Sequence, residues 1–234
     1  MDKIQLTIRG YDKVANDWHG TRRHSWGEVD EIIKSELGTS SNPINILDLG
    51  CGNGRLIETL EKIKKDSSDK NFKTIKYLGV DPSINLINIA QKQYHDLLNV
   101  SFETNDGIHI PCADDTFRLV ISIATLHHVP PEYQDAWLRE VYRVSAPDAK
   151  VIITVWLRDD SNDDRSTVHK RESEKEMMLG FAQHQDIRYV YLFDQNELEN
   201  LLIKNGFTIL KSKIEQRPNS KNKNLIVVAD IFKC

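Results

Sequence analysis

The sequence predicts an α/β fold, a mostly parallel sheet with helices on both of its faces. Two observations predict it. Short apolar runs that end in Gly or Asp alternate with amphipathic helical stretches along most of the chain. The last two apolar runs, "FTILKSKI" and "NLIVVADIF", have no helix between them. Their link, "EQRPNSKNK", is polar and turn-rich, so the two pair antiparallel.

The elements follow in order. Residues 1–40 are expected to form an N-terminal helical cap. Within it, Ser25 and Glu28 read as a capping box before an apolar stripe of Trp26, Val29, Ile32, Ile33 and Leu37. "INILDLG" is a buried strand over Ile44–Gly50, and a helix over Arg55–Lys64 places Leu56, Ile57 and Leu60 on one face. "TIKYLGVD" is the second strand and "INLINIAQKQY" the helix after it. "VSFETND" is the third strand, expected at one edge of the sheet, and "FRLVISIAT" is the fourth. A helix over Glu132–Val144 leads to the fifth strand, "KVIITVWL". Asp194 and Glu197 cap a helix carrying Leu198, Leu201 and Leu202, and Gly206 ends it.

Composition bounds the function. The chain has 234 residues, 39% hydrophobic and 28% charged. That suits one globular domain over 1–234. No apolar run reaches about 18 residues, so no membrane span is expected. "MDKIQLTIRG" lacks the apolar stretch of a secretory signal, and a reducing cytoplasm is the simplest setting. Cys51, Cys112 and Cys234 are an odd number at unrelated spacings, implying neither a disulfide framework nor a metal site. A net charge of −4 argues against a global nucleic-acid field and against DNA, and leaves room for a local RNA-binding patch. "EKIKKDSSDKNFKTIK" and "RDDSNDDRSTVHKRESEKE" read as solvated segments. The second opens an expected flexible insertion over 158–188.

"DLGCGNG" sets Gly50, Gly52 and Gly54 at alternate positions just after the first strand. Glycine there serves a tight turn and lets a ligand approach the backbone. A dinucleotide fingerprint would need a third glycine where Arg55 stands, and no Lys-Ser/Thr pair follows to make a P-loop. Asp81 ends the second strand, where an acid takes both hydroxyls of a ribose. Asp106, followed by Gly107, ends the third, where an acid accepts from an adenine amino group. Each acid alone is also a plain cap or turn former. Together they describe a pocket for an adenosine without a pyrophosphate.

With these motifs the chain resembles the class I S-adenosylmethionine-dependent methyltransferases. The resemblance covers about Ile44 to Phe232. It rests on "DLGCGNG", "GVDPS", the "ND" before "GIHIPCADDTFRLVISIATLHH", and the closing antiparallel strand. It implies a Rossmann-like sheet of seven strands with the last antiparallel, and S-adenosyl-L-methionine as cofactor. It places Tyr11, Gly50, Cys51, Gly52, Asp81, Pro82, Asp106, Gly107 and Ala124 at that cofactor. The methionine part falls to Gly50 and Gly52, the ribose to Asp81 and the adenine to Asp106.

A narrower resemblance lies outside that pocket. "YDKVANDWHGTRRHSW", "SIATLHHV", "VWL" and "YVYLFDQNELENLLIKNGF" look like the tRNA wobble-uridine methyltransferases. These esterify a 5-carboxymethyluridine in the anticodon. The family's Tyr, Thr-Arg, Trp, paired His and strand-end Trp fall on Tyr11, Thr21–Arg22, Trp26, His127–His128 and Trp156. Its Pro-Trp is Ser25–Trp26 here. The resemblance implies a tRNA substrate and a small zinc-binding activator subunit.

The chemistry adds its own weight. A carboxylate acceptor is already ionised at neutral pH, so transfer to it needs no base. An arginine fork suits that anion, and Arg22 is the candidate. His127 and His128 follow the fourth strand, at the edge where open α/β sheets hold their chemistry. Plainer readings stand beside these: Arg22 as a surface charge, one histidine as packing, Trp26 and Trp156 as core rather than base-stacking platforms. A small-metabolite methyltransferase and a non-catalytic cofactor-binding subunit are the alternative functions.

Overall fold

A computed structural model describes residues 2–21, 27–38, 44–66, 75–158, 168–181, 184–216 and 223–233. Two helices come first, α1 (Lys3–Thr21) and α2 (Glu28–Gly38). Strand and helix then alternate: β1 (Ile44–Leu49), α3 (Leu56–Asp66), β2 (Ile75–Asp81), α4 (Ile84–Gln93), β3 (Val100–Thr104), β4 (Phe117–Ile123), α5 (Pro131–Val144) and β5 (Ser145–Trp156). Three short strands follow, β6 (Val168–Arg171), β7 (Glu176–Gly180) and β8 (Ile187–Tyr191). The chain closes with α6 (Gln195–Lys204), β9 (Phe207–Gln216) and β10 (Lys223–Ile231).

The main sheet has seven strands in the order β3-β2-β1-β4-β5-β10-β9. The first five pair in parallel, and β10 lies antiparallel between β5 and β9. This is the Rossmann-like sheet expected from the sequence, with "VSFETND" at its edge as β3. β1 is buried almost throughout, and alternate side chains leave it on opposite faces. Leu47 and Leu49 join Val120, Trp137, Leu138, Val141, Leu198 and Leu202 in one core. Ile44 and Ile46 join Val29, Ile33, Leu56, Ile57 and Leu60 in the other. The helical stripes foreseen on α2 and α3 therefore cover one face, and α5 and α6 cover the opposite one. Asp194 and Glu197 form the expected capping box at the start of α6. The corresponding box at α2 includes Ser25, which lies outside the described residues.

The sequence reading of 158–188 as a flexible insertion needs correcting over its described part. β6, β7 and β8 form a three-stranded antiparallel sheet. Charge dominates the composition of this stretch, but Met177, Leu179 and Val190 alternate to build a small core of their own. Residues 159–167 lie outside the described residues.

α1 packs between this small sheet and α4. Thr7 Oγ1 accepts from the Tyr189 backbone N–H at 2.9 Å. Gly10 lets the helix backbone close on β8, since a Cβ there would stand 2.4 Å from the Ile187 carbonyl oxygen. On the other side Asp12 accepts from Ser83 Oγ at 2.6 Å and from the Asn85 N–H at 3.1 Å, at the start of α4. Among the described residues no helix is long and apolar enough to cross a membrane.

Candidate active site

The order of strands reverses between β1 and β4, because the chain leaves β1 toward β2 and β3 and then returns to its other side. The crevice at the C-terminal ends of such strands is where open α/β sheets bind ligands. A cavity of about 310 Å³ lies there. The glycine turn, Asp81–Ser83, Ala124–Thr125, His127, His128 and Trp156 line it, and α1 closes it with Thr7, Ile8, Tyr11 and Trp18.

The three glycines of the turn all have positive φ, but they serve different purposes. A Cβ on Gly50 would meet Thr125 Oγ1 at 2.0 Å, and one on Gly54 would meet Phe102 at 2.8 Å. Those two make room for protein. A Cβ on Gly52 would meet nothing within 4 Å, although the residue lines the cavity. Gly52 is the one that leaves backbone open to a ligand.

Asp81 ties the two turns together. One carboxylate oxygen accepts from the Gly52 N–H at 2.9 Å and the other from the Ser83 N–H at 2.9 Å. Burial pushes this carboxyl up to about 6, against the pull of those two bonds. Each oxygen retains acceptor capacity beyond its backbone bond. Asp48, at the end of β1, is buried and lines the same cavity. Burial raises it to about 7, although the Tyr77 hydroxyl donates to it at 2.6 Å and opposes the shift. An adenosine-bearing cation fits these residues: acceptors at Asp81 and Asp48, an open backbone at Gly52, and apolar walls from Ile8, Pro82 and Leu86.

The histidine pair occupies the other end. His127 is fully buried, stacks on Trp156 with ring centroids 4.6 Å apart, and accepts at Nδ1 from the Trp156 backbone N–H at 3.4 Å. His128 bridges two elements. Its Nδ1 lies 2.7 Å from the Tyr189 carbonyl oxygen, which can only accept, so Nδ1 carries the proton. Its Nε2 therefore accepts from the Tyr11 hydroxyl, at 2.9 Å. Burial lowers its pKa to about 3, and the Arg188 guanidinium adds to the shift. His128 is thus a neutral imidazole with both nitrogens engaged.

Most expected site residues converge on this cavity: Tyr11, Gly50, Cys51, Gly52, Asp81, Pro82, Ala124, His127, His128 and Trp156. Cys51 is buried, and burial holds its thiol well above the usual range. Arg22 and Trp26 lie outside the described residues. Asp106 and Gly107 do not line the cavity. The Asp106 carboxylate is exposed and accepts from the Ile108 and His109 N–H groups at 2.8 and 2.7 Å, with the His109 ring 2.6 Å away. Gly107 makes room for Ile4 of α1. The sequence reading missed Asp48, Trp18 and Arg188. Asp48 and Arg188 had a signal: each is a lone charge within an apolar or aromatic strand, "INILDL" and "IRYVY".

A family model described as a methyltransferase domain matches residues 19–212. The chain belongs to that family and is a class I S-adenosylmethionine-dependent methyltransferase. Among its relatives, the tRNA (carboxymethyluridine(34)-5-O)-methyltransferase of Schizosaccharomyces pombe is 26% identical over 223 residues, which span 86% of this chain and 88% of that protein. Two solved structures share the fold. One is the 1,6-didemethyltoxoflavin-N1-methyltransferase of Burkholderia thailandensis, determined with 1,6-didemethyltoxoflavin and S-adenosylhomocysteine. It has a TM-score of 0.70 at 18% identity, over 98% of this chain and 88% of that one. The other is a Haloferax volcanii complex of the Trm112 methyltransferase activator with a methyltransferase. It has a TM-score of 0.67 at 16% identity, over 97% and 98%.

Proposed function

We propose that this methyltransferase esterifies the carboxymethyl group of a modified wobble uridine in tRNA. The observation that carries the reading is the state of His128, neutral and with both nitrogens engaged. His128 lines the cavity but has no nitrogen free to deprotonate an acceptor. A carboxylate acceptor needs no such base. The Schizosaccharomyces pombe relative is named for this reaction, which supports the substrate.

S-adenosylmethionine, when bound, supplies an electrophilic methyl on a cationic sulfonium. Asp81 and the open Gly52 backbone would hold its ribose and methionine parts, and Asp48 would face its positive charge. Ile8, Pro82 and Leu86 would enclose its adenine. Tyr11, fixed by His128, holds α1 over the cavity and helps exclude water, which strengthens charge interactions inside. The reacting groups are then brought together by positioning rather than by proton transfer.

A partner belongs to the same proposal. A small activator subunit, zinc-binding in the family this chain resembles, would pair with the open edge at β3. The Haloferax complex supports an activator of this kind. Full activity and solubility of the purified chain alone would contradict an obligate partner. A small metabolite is the second reading of the acceptor, favoured by the net charge of −4. Transfer of labelled methyl to tRNA carrying carboxymethyluridine, against tRNA lacking it, tests the substrate. Equal labelling of both would contradict the proposal.

A further inference from the structure

Arg188 sits on β8, opposite Leu179 of β7, with only 7% of its surface exposed. Its guanidinium is walled by rings. Its Cζ is 4.3 Å from the Phe181 centroid, 5.9 Å from those of Trp18 and Trp156, and 6.0 Å from that of Tyr11. Nη1 reaches the Gly180 carbonyl at 3.4 Å. Among the described residues, the buried Nε has no hydrogen-bond partner and no carboxylate pairs with the group. A guanidinium stays charged under all ordinary conditions. A buried charge without a counter-ion is costly, and aromatic faces offset only part of the cost. Among the described residues, then, this buried cation has no anion to pair with.

The position says what that anion is for. Tyr11, Trp18 and Trp156, three of the rings around Arg188, also line the cavity that holds Gly52 and Asp81. Arg188 does not itself line that cavity: its guanidinium lies directly behind these three rings, buried away from the outer surface where an RNA backbone would run. We propose that Arg188 binds the carboxylate of the methyl acceptor and makes the enzyme select an acid over its neutral amide. This rests on the esterification reading given above. One carboxylate oxygen is held by the guanidinium while the other forms the new C–O bond. The S–CH₃ bond breaks, its electron pair stays on sulfur, and no proton moves. The ester that results is neutral, so the attraction that seated the acid is lost and the product is free to leave.

The test uses the full chain, together with its activator subunit if transfer requires one, and anticodon stem-loops bearing either carboxymethyluridine or carbamoylmethyluridine. The second serves as a competitive inhibitor that cannot be esterified. The wild type is expected to methylate the first and to bind it at least about tenfold more tightly than the second. Arg188→Met should lower kcat/KM by about 10- to 100-fold and erase the preference. Arg188→Lys keeps the charge without the planar fork and should retain part of both. Affinity for S-adenosylhomocysteine should be unchanged in each variant, which reports an intact cofactor half. If Arg188→Met does not fold, the preference of Arg188→Lys decides the matter. Variants that weaken both RNAs equally, or keep the full preference, would overturn the role of Arg188 while leaving the esterification standing. A wild type that leaves carboxymethyluridine unmethylated would overturn both.

Discussion

The Tyr11 hydroxyl donates to His128 Nε2 at 2.9 Å, joining the first helix to the tip of the fourth strand across 117 positions of sequence. That bond closes the cavity roof over a histidine whose tautomer the Tyr189 carbonyl fixes. It also removes the nitrogen that a general base would use.

The first prediction concerns pH. With S-adenosylmethionine saturating, single-turnover transfer should stay level from about pH 8.5 down to about pH 5.5, because His128 stays neutral over that range. Tyr11→Phe should cost about 1 kcal/mol of stability, the net worth of one hydrogen bond, without introducing an acid limb. A tenfold loss of rate per pH unit, abolished in His128→Gln, would make His128 a base.

The second concerns cofactor affinity. Asp81→Ala should weaken S-adenosylmethionine by about 1.5–3 kcal/mol, the range for hydrogen bonds to a charged group. Calorimetry is the measurement, and unchanged affinity would remove Asp81 from the site. Binding should also weaken as pH falls through 7 and 6, where Asp48 and Asp81 take up protons and lose their attraction for a cation.

The third concerns stability, and its two parts have opposite signs. Asp48 and Asp81 have folded pKa values raised to about 7 and about 6 from 3.8. Their contribution is full below pH 3.8 and is lost as pH rises through 6 and 7. His128 is lowered from 6.5 to about 3, so its contribution is full above 6.5 and is lost as pH falls toward 3. Asp48→Asn should therefore reduce the fall in Tm of the cofactor-free protein between pH 3.8 and about 7, and His128→Gln should reduce the fall in acid. Thermal unfolding across that range checks both slopes.

The fourth separates the glycines. Gly50→Ala drives a methyl into Thr125 and should destabilise the fold by several kcal/mol, on the order of 3. Gly52→Ala meets no protein atom and should cost only about 1 kcal/mol of backbone strain, while weakening the cofactor at least tenfold by occupying its space. Equal cofactor loss at equal stability in the two variants would contradict the assignment.

The sheet and the glycine-lined crevice were legible because both are written locally. Buried strands such as "INILDLG" announce themselves by apolar runs, and a glycine turn and Asp81 follow strand ends in sequence. The small sheet β6-β7-β8 was hidden because its composition is dominated by charge, while its core depends on a few alternating residues such as Met177, Leu179 and Val190. Arg188 showed in the sequence only as a lone charge in an aromatic strand, because tertiary packing alone places it among Tyr11, Trp18, Trp156 and Phe181. Asp106 illustrates the converse. It has the expected type and position, but its carboxylate is engaged by the His109 ring and by the N–H groups of the turn that it starts, outside the cavity lining.

Esterification is tested most directly by the chemical nature of the product. Purified enzyme, with whatever activator it requires, should transfer labelled methyl to carboxymethyluridine-containing tRNA. Mild alkali should then release that label as methanol, because an ester hydrolyses. Label that survives alkali on a nitrogen or a ribose hydroxyl, or label that reaches only small metabolites, would contradict it.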